Sequence, residues 1–457
     1  MKKTIKFLVL SLVLILLSWG QMVLINYHLP LGIATILTLS IVLLLVKNDL
    51  SSKFKKLLMF TVVIFAVTDI YWLVSNQILF WYVSQLTLML IFITLAIYGS
   101  FILPKKNGRV TTIILNTLKT LTFIFISAIS VGLFVFSVNS TAFNKVIQTF
   151  SGVENYTKAE QKTSIIDDKY KLYSNIKYDS EYPRGFLDVM TKNEKLDSSK
   201  PTFFYIHGGG FVLGDKMGGD PNSDSNESYL PYHYKKMVDS GYNVVAVNYA
   251  FAPEYDHPTQ VKQISNAIQF LQKNGDKYGI NTKDMVISGG SAGGQIAAEF
   301  VTIQSNDKYA KSVNVDPVMK VEDIRAQVLE VPALKPSKVH KTKEENKMND
   351  YLFGQALGAY IGDPMISYNQ STEDQMNLIK YVNKDFPPTF ITDGNVGSFK
   401  VQSKEYYDEL RKHNVKSELY VPDINKSKEG HGYIGNVKSD ATVKFIEKRK
   451  EFLQKLK

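Results

Sequence analysis

Long apolar stretches dominate the first 140 residues of this 457-residue chain. Each approaches the ~20 consecutive apolar residues that a helix needs to cross a bilayer. We therefore expect residues 1–140 to form an all-α transmembrane anchor region of about five helices. The stretches lie at about 7–27, 30–46, 57–75, 79–103 and 120–138.

The cations of this region fall in alternate connectors between the stretches. Eleven Lys and Arg against two acids place +9 of the net charge of +10 in residues 1–140. They occur before the first stretch, at 47–56 and at 104–109, whereas the connectors around His28 and Asn76 have none. The positive-inside rule then predicts a cytoplasmic N-terminus, and five spans place the rest of the chain outside the cell.

The position of these charges along the chain indicates which partners to expect. Because the basic residues flank apolar stretches, we expect a multi-pass protein of the cell membrane, with membrane lipids and no nucleic acid as partners. Two alternatives stay open for the region. The opening also resembles a signal peptide, although no small-residue cleavage site lies near Trp19-Gly20-Gln21. Asp69, inside the third stretch, indicates either a transport function or a carboxylate that faces the helix bundle.

Strands and helices alternate after residue 180. We interpret residues 141–180 as a linker or cap segment and residues 181–457 as a catalytic α/β domain, with a solvated insertion at 333–350. The alternation predicts a mostly parallel sheet with helices on both faces. The predicted strands are Thr202–Ile206, Asn243–Asn248, Met285–Ser288, Arg325–Val331, Thr389–Thr392 and Ser417–Val421, and the predicted helices cover 258–273, 292–304, 400–413 and 439–455.

The strongest local motif is Gly289-Gly290-Ser291-Ala292-Gly293. It follows an apolar strand and precedes a helix, which is the setting that a G-x-S-x-G nucleophile elbow requires. The glycines permit a tight turn, and the helix dipole favours negative charge near Ser291. The chain has no cysteine, so a cysteine nucleophile, disulfides and thiolate metal sites are excluded.

A glycine-rich loop follows the strand Thr202–Ile206, with the sequence His207-Gly208-Gly209-Gly210. The backbone N–H groups of Gly209 and Gly210, together with that of Ala292, would form an oxyanion hole worth about 3–4 kcal/mol per donor. A phosphate-binding loop is the alternative, but the lysine and the dinucleotide spacing that such loops use are absent.

The chain order Ser…Asp…His predicts that the other two members of a catalytic triad lie after the last strands of the sheet. His431 lies between the last strand and the last helix, where the chain order Ser…Asp…His places the base. Asp393 ends the preceding strand and is the candidate acid that orients the imidazole. Three other acids fit less well: Asp423 lies on the His431 loop, Asp408 in a helix, and Asp385 at the wrong end of the strand.

From about residue 175 onward, the chain resembles the esterase/lipase branch of the α/β-hydrolases related to hormone-sensitive lipase. The resemblance implies a carboxylic-ester hydrolase without metal or cofactor, with Ser291 as nucleophile, His431 as base, and Gly209, Gly210 and Ala292 as oxyanion donors. One departure concerns the acid, because the family has its Asp a few residues beyond the strand, where this chain reads Asn395-Val396-Gly397-Ser398. The matching segments are His207–Gly210, Tyr249–Glu254, Gly289–Gly293, Pro387–Thr389 and His431-Gly432.

The sequence thus predicts a membrane-anchored serine hydrolase that cleaves small-molecule or lipid carboxylic esters through an acyl-enzyme. Two alternatives remain. An envelope acyltransferase or deacylase would use the same triad with a different acceptor. A non-catalytic membrane scaffold would retain a degenerate hydrolase domain, in keeping with the displaced Asp393.

Overall fold

A computed structural model describes residues 52–75 and 138–456, except 219–228, 336–346 and 364–369, together with scattered helical positions between 83 and 136. The chain divides into two compact units. The first comprises Met1–Phe143 with Glu345–Met348, and the second comprises Asn144–Glu344 with Asn349–Lys457.

The first unit contains the helix Ser52–Ser75 (α1). In the described part of the chain, no helix combines the length and the apolar character needed to cross a membrane. The predicted stretches at 7–27 and 30–46 lie outside the described residues, and those at 79–103 and 120–138 are described only at scattered positions. The transmembrane anchor therefore stays a prediction.

The second unit is built on a nine-stranded sheet with the order β1-β2-β3-β5-β4-β6-β7-β8-β9. The six strands from β4 to β9 run parallel, and β1, β2 and β3 extend one edge by antiparallel pairing. The strands are β1 Lys162–Ile166, β2 Tyr170–Lys177, β3 Phe186–Lys192, β4 Thr202–Ile206, β5 Asn243–Val247, β6 Met285–Gly290, β7 Ile324–Glu330, β8 Thr389–Thr392 and β9 Ser417–Tyr420.

Helices cover both faces of this sheet, as the alternating side chains of β4 illustrate. Phe204 and Ile206 join one apolar core with helices α4 (Thr259–Asn274) and α5 (Ala292–Ser305). Phe203 and Tyr205 join a second core with helices α3 (Tyr229–Asp239) and α10 (Asp440–Gln454). The predicted mostly parallel sheet covered on both faces is therefore confirmed. The helices after α1 are α2 Ser140–Ser151, α3 Tyr229–Asp239, α4 Thr259–Asn274, α5 Ala292–Ser305, α6 Asp307–Val313, α7 Lys347–Tyr360, α8 Gln370–Met376, α9 Lys400–Lys412 and α10 Asp440–Gln454.

The six parallel strands were all predicted, and the three antiparallel strands were not. Parallel strands in the middle of a sheet are buried on both faces, so they stand out as short apolar runs. β1 and β2 lie at the sheet edge and mix lysine, serine and asparagine with their apolar residues. The segment 141–180, predicted as a linker or cap, therefore holds helix α2 and two strands of the main sheet.

Candidate active site

The candidate residues lie on loops that follow four parallel strands, β4, β6, β8 and β9. Parallel strands end at the same edge of a sheet, so these four loops meet there. The β4 loop holds the glycine motif, the β6 loop holds Ser291, the β8 loop begins at Asp393, and the β9 loop contains His431. The sheet topology alone thus gathers residues that are far apart in the sequence.

Ser291 occupies a strained turn between β6 and α5. Its backbone has φ 53° and ψ −115°, an uncommon conformation for a residue with a side chain. The Ser291 N–H donates to the Glu330 carbonyl oxygen at 2.7 Å, which fixes the turn to the end of β7. The turn requires glycine at 293, because a Cβ there would lie 2.1 Å from the Ile206 carbonyl oxygen. The structure therefore has the geometry of a nucleophile elbow at the predicted position.

His431 is within hydrogen-bonding distance of this serine. The distance between Ser291 Oγ and His431 Nε2 is 2.8 Å. The imidazole packs edge-on against Phe353 and Phe399, whose ring centroids lie 4.7 and 4.9 Å away. Burial among these groups lowers the pKa of His431 to about 4. The imidazole is therefore neutral near pH 7, and a neutral imidazole can accept a proton from the serine.

Asp393 lies at the end of β8 and is completely buried. Its carboxylate accepts hydrogen bonds from Ser398 Oγ and Ser403 Oγ, each at 2.5 Å, and from the Gly394 N–H at 2.8 Å. Burial raises the pKa of Asp393 to about 7, while the two serine hydroxyls act in the opposite direction. The carboxylate thus changes its charge close to neutral pH.

The structure does not bring Asp393 directly to His431. Both residues are described, and no hydrogen bond joins them. Ser398 lies between them, with its Oγ 2.5 Å from Asp393 Oδ1 and 3.1 Å from His431 Nδ1. Sequence reasoning did not identify Ser398 as a site residue. The sequence carried one indication of its role. Residues 395–398 lack the acid that the family resemblance leads one to expect there, and Ser398 is the last residue of this segment.

Asn395 is a second residue that sequence reasoning did not single out. Its side-chain amide donates to the Pro422 and Ser427 carbonyl oxygens at 3.1 and 2.7 Å, and its Oδ1 accepts from the Glu429 N–H at 2.8 Å. Its own N–H donates to the Glu429 carbonyl oxygen at 2.8 Å. Asn395 therefore attaches the loop that begins at Asp393 to the loop that contains His431.

The glycine-rich loop after β4 lies against the elbow. A Cβ on Gly208 would come within 2.8 Å of the Gly290 carbonyl oxygen and 3.3 Å of Ser291 Cβ. Gly209 has φ +112°, a conformation that suits glycine, and a Cβ there would lie 2.2 Å from the Leu213 carbonyl oxygen. The predicted donors Gly209 and Gly210 thus belong to a loop in close contact with the nucleophile.

Ala292, the third predicted oxyanion donor, is the first residue of α5. Backbone N–H groups in the first turn of a helix have no acceptor within the helix. The N–H of Ala292 is therefore suited to a developing negative charge beside the adjacent Ser291, and the helix dipole adds to this effect.

His207 and Tyr249 hold the base of the glycine-rich loop. The His207 ring stacks on Tyr249 with the centroids 4.4 Å apart, and His207 Nδ1 lies 2.6 Å from the Gly208 carbonyl oxygen. The Tyr249 hydroxyl donates to the His207 carbonyl oxygen at 2.9 Å. Burial lowers the pKa of His207 to about 4, so this ring is neutral near pH 7. His207 therefore supports the loop and does not contact Ser291 Oγ as a second base.

Comparisons with known proteins agree with this architecture. Residues 187–407 match the model of the family described as BD-FAE, a segment that includes Ser291 and Asp393 and ends before His431. The chain is similar to Lipase 2 of Moraxella sp., at 30% identity over 25% of this chain and 24% of the lipase. It is also similar to arylacetamide deacetylase of Bos taurus, at 26% identity over 42% of this chain and 41% of the deacetylase. The chain thus spans less than half the length of either relative.

A solved structure shows the same fold over a longer segment. Esterase B from Lactobacillus rhamnosis superposes with a TM-score of 0.53 at 18% identity, over 69% of this chain and 95% of the esterase. This likeness confirms the α/β-hydrolase fold that the sequence predicted. The names of the relatives support the prediction of a carboxylic-ester hydrolase.

Proposed function

We propose that the second unit is a serine hydrolase that cleaves carboxylic esters. The observation that supports this proposal most directly is the 2.8 Å contact between Ser291 Oγ and His431 Nε2, with the serine held on a strained elbow. A nucleophile and a base within hydrogen-bonding distance are the minimum requirement for attack on an acyl carbon. A structural serine would not need the unfavourable backbone conformation of Ser291.

The chemical steps follow from these positions. His431 Nε2 accepts the Ser291 proton as Oγ attacks the ester carbonyl carbon. The carbonyl oxygen becomes an oxyanion, and the N–H groups of Gly209, Gly210 and Ala292 are the proposed donors to it. The tetrahedral intermediate then collapses, and the alcohol leaves with the proton held by His431. Water, activated by the same imidazole, releases the carboxylic acid from the acyl-enzyme.

Asp393 is the proposed acid of the triad. Its role is to favour the protonated state of His431 during each proton transfer, because a negative charge nearby stabilises an imidazolium. A carboxylate that is fully buried and fixed by several hydrogen bonds keeps a constant position during the reaction. This rigidity supports the assignment of Asp393 over the exposed acid Asp423 on the loop after β9.

We further propose that residues 1–140 anchor this hydrolase in the cell membrane, with the catalytic unit outside. The support is the set of five apolar stretches and the alternation of cationic and uncharged connectors in the sequence. The proposed substrates are then esters, either small molecules or lipids, that reach the external face of the cell membrane.

A labelling experiment tests the chemistry and the topology separately. Cells that express the full chain would be treated with a membrane-impermeant fluorophosphonate, which reacts with an activated serine. We expect labelling of intact cells and its loss in Ser291→Ala. Labelling that appears only after lysis would reject the external location and retain the hydrolase. Equal labelling of the wild type and Ser291→Ala, or none in either after lysis, would reject the hydrolase.

A further inference from the structure

A buried hydroxyl group connects the candidate acid to the candidate base. We propose that Ser398 is a positioning residue that couples Asp393 to His431, so that the site operates as a four-residue chain, Ser291–His431–Ser398–Asp393. This inference rests on the proposed serine-hydrolase function. It replaces the direct contact between acid and imidazole in a Ser-His-Asp triad with a contact through a hydroxyl group.

The directions of the hydrogen bonds define what Ser398 does. A serine hydroxyl has one proton to donate, together with lone pairs that can accept. Ser398 Oγ donates that proton to Asp393 Oδ1 at 2.5 Å, so toward His431 Nδ1, 3.1 Å away, it can only accept. The imidazole proton must then reside on Nδ1. This tautomer leaves the lone pair of Nε2 facing Ser291 Oγ, as a general base requires.

The surrounding structure holds Ser398 in place. Ser398 is buried, with 3% of its surface exposed. It precedes Phe399, whose ring packs against the His431 imidazole, and it follows Gly397, which has φ +53°. The same loop is attached to the His431 loop through Asn395. The hydroxyl is therefore fixed from both sides, and a fixed dipole is more effective than one that must reorient.

The hydrogen bonds of this four-residue chain keep their directions when His431 becomes protonated. As Nε2 takes the serine proton, the positive charge spreads over the imidazole, and Nδ1–H becomes a stronger donor to Ser398 Oγ. The Ser398 proton stays on its own oxygen and points to the ionised Asp393. No proton needs to move between Ser398 and Asp393, because the carboxylate acts through the oriented hydroxyl dipole and its own charge.

Ser403 provides a matched control for Ser398. Its hydroxyl donates to the other oxygen of the same carboxylate, Asp393 Oδ2, also at 2.5 Å, and it is also buried. No hydrogen bond joins Ser403 to His431, although both residues are described. If serines at this carboxylate only satisfy a buried acid, then Ser398→Ala and Ser403→Ala should have similar effects. If Ser398 also orients the imidazole, the two variants should differ in catalysis.

The experiment measures ester hydrolysis and thermal unfolding in the full-length protein in detergent. The probe substrate is an aryl acetate, and the variants are Ser398→Ala, Ser403→Ala, Asp393→Asn and the double variant D393N/S398D. We expect Ser398→Ala to lower kcat by at least about tenfold with little change in KM, since misorientation of a catalytic imidazole acts on the transition state. Ser403→Ala should lower kcat far less, while both variants lose similar thermal stability.

The double variant tests the coupling without relying on a loss of activity. Asp393→Asn removes the charge, and Ser398→Asp in the same chain returns a carboxylate next to His431 Nδ1. We expect kcat of the double variant to exceed that of Asp393→Asn. Equal kcat for Ser398→Ala and Ser403→Ala, together with no gain in the double variant, would overturn the coupling and leave the hydrolase proposal intact. A wild type without ester hydrolysis would overturn both proposals.

Discussion

Gly394 lies so close to Gly430 that a Cβ on Gly394 would approach the Gly430 carbonyl oxygen to 2.6 Å. The two glycines belong to the loops after β8 and β9, and each is adjacent in sequence to a candidate catalytic residue, Asp393 and His431. The close approach of two backbones therefore sets the distance between the acid and the base. A side chain at position 394 has no room in this contact.

This contact makes Gly394→Ala a specific disruption of the site. The added methyl group must push the His431 loop away, because its three nearest neighbours are all backbone atoms. We expect a loss of about 1–3 kcal/mol in the free energy of unfolding and a large decrease in kcat. Urea denaturation and ester hydrolysis measure the two effects. Gly435→Ala is the control, since nothing lies within 4 Å of its Cβ position; a comparable decrease there would contradict this explanation.

The pH dependence of activity should report Asp393. Its pKa is raised to about 7 by burial, whereas burial lowers the pKa of His431 to about 4. Ionised Asp393 is the form that accepts from Ser398, so kcat/KM should rise with pH through about 7. Ser403→Ala removes a hydrogen bond that lowers the pKa of Asp393, so in this variant the rise of kcat/KM should occur at a higher pH. A shift to lower pH would contradict the assignment.

The same carboxylate should make folding stability depend on pH. A folded-state pKa above the unfolded value means that the folded state binds the proton more tightly. The contribution of Asp393 is then fully present below about pH 4 and is lost as the pH rises through about 7. Asp393→Asn should remove this component, which a comparison of urea denaturation curves at pH 5 and pH 8 would detect.

A buried polar cluster on α5 should matter for stability. Glu299 is fully buried, with one oxygen 2.5 Å from His257 Nε2, and it accepts hydrogen bonds from the hydroxyls of Tyr309 and Tyr360 at 3.1 Å. Glu299→Ala would leave these groups without their acceptor, at a cost of about 3–5 kcal/mol in unfolding free energy. Thermal and urea denaturation test this. Glu447→Ala on α10, outside this cluster, is the control and should change stability by less than about 0.5 kcal/mol.

The cluster also contacts the glycine-rich loop after β4, which holds the proposed oxyanion donors Gly209 and Gly210. The Tyr360 ring stacks on Phe211, which directly follows Gly210, with the centroids 3.8 Å apart. Tyr360→Phe keeps this stack and removes only the hydroxyl that donates to Glu299. We expect it to lower stability by about 1 kcal/mol while kcat stays close to the wild-type value. Tyr360→Ala removes the stack as well, and its kcat should fall; equal kcat for the two variants would disprove a role of the stack.

The parallel part of the fold and the elbow could be predicted because their signals are local. A buried parallel strand is a short apolar run, and the strand–glycine–serine–helix order of 285–305 identifies the turn within one segment. The strands β1 to β3 could not be recognised in this way. β1 pairs with β2, β2 with β3 and β3 with β5, all antiparallel, and polar residues interrupt the apolar ones in each of the three strands, so no continuous apolar run marks them.

The contact between the acid and the base is the part of the site that the sequence could not predict. Strand order placed Asp393 near the base, but the distance between a carboxylate and an imidazole depends on how two loops pack. That packing follows from Asn395 and Gly394, whose partners Glu429 and Gly430 are more than thirty residues away. No spacing rule links these positions, so the role of Ser398 follows only from the way the two loops pack in the folded protein.

The contact between Ser291 and His431 spans 140 residues of sequence. The two residues follow β6 and β9, and β7 and β8 lie between those strands in the sheet. The elbow has no base until β9 has paired with β8, because His431 lies on the loop after β9. Hydrolytic competence therefore requires the sheet to be complete from β6 to β9. Labelling of Ser291 by a fluorophosphonate would accordingly serve as a measure of completed folding.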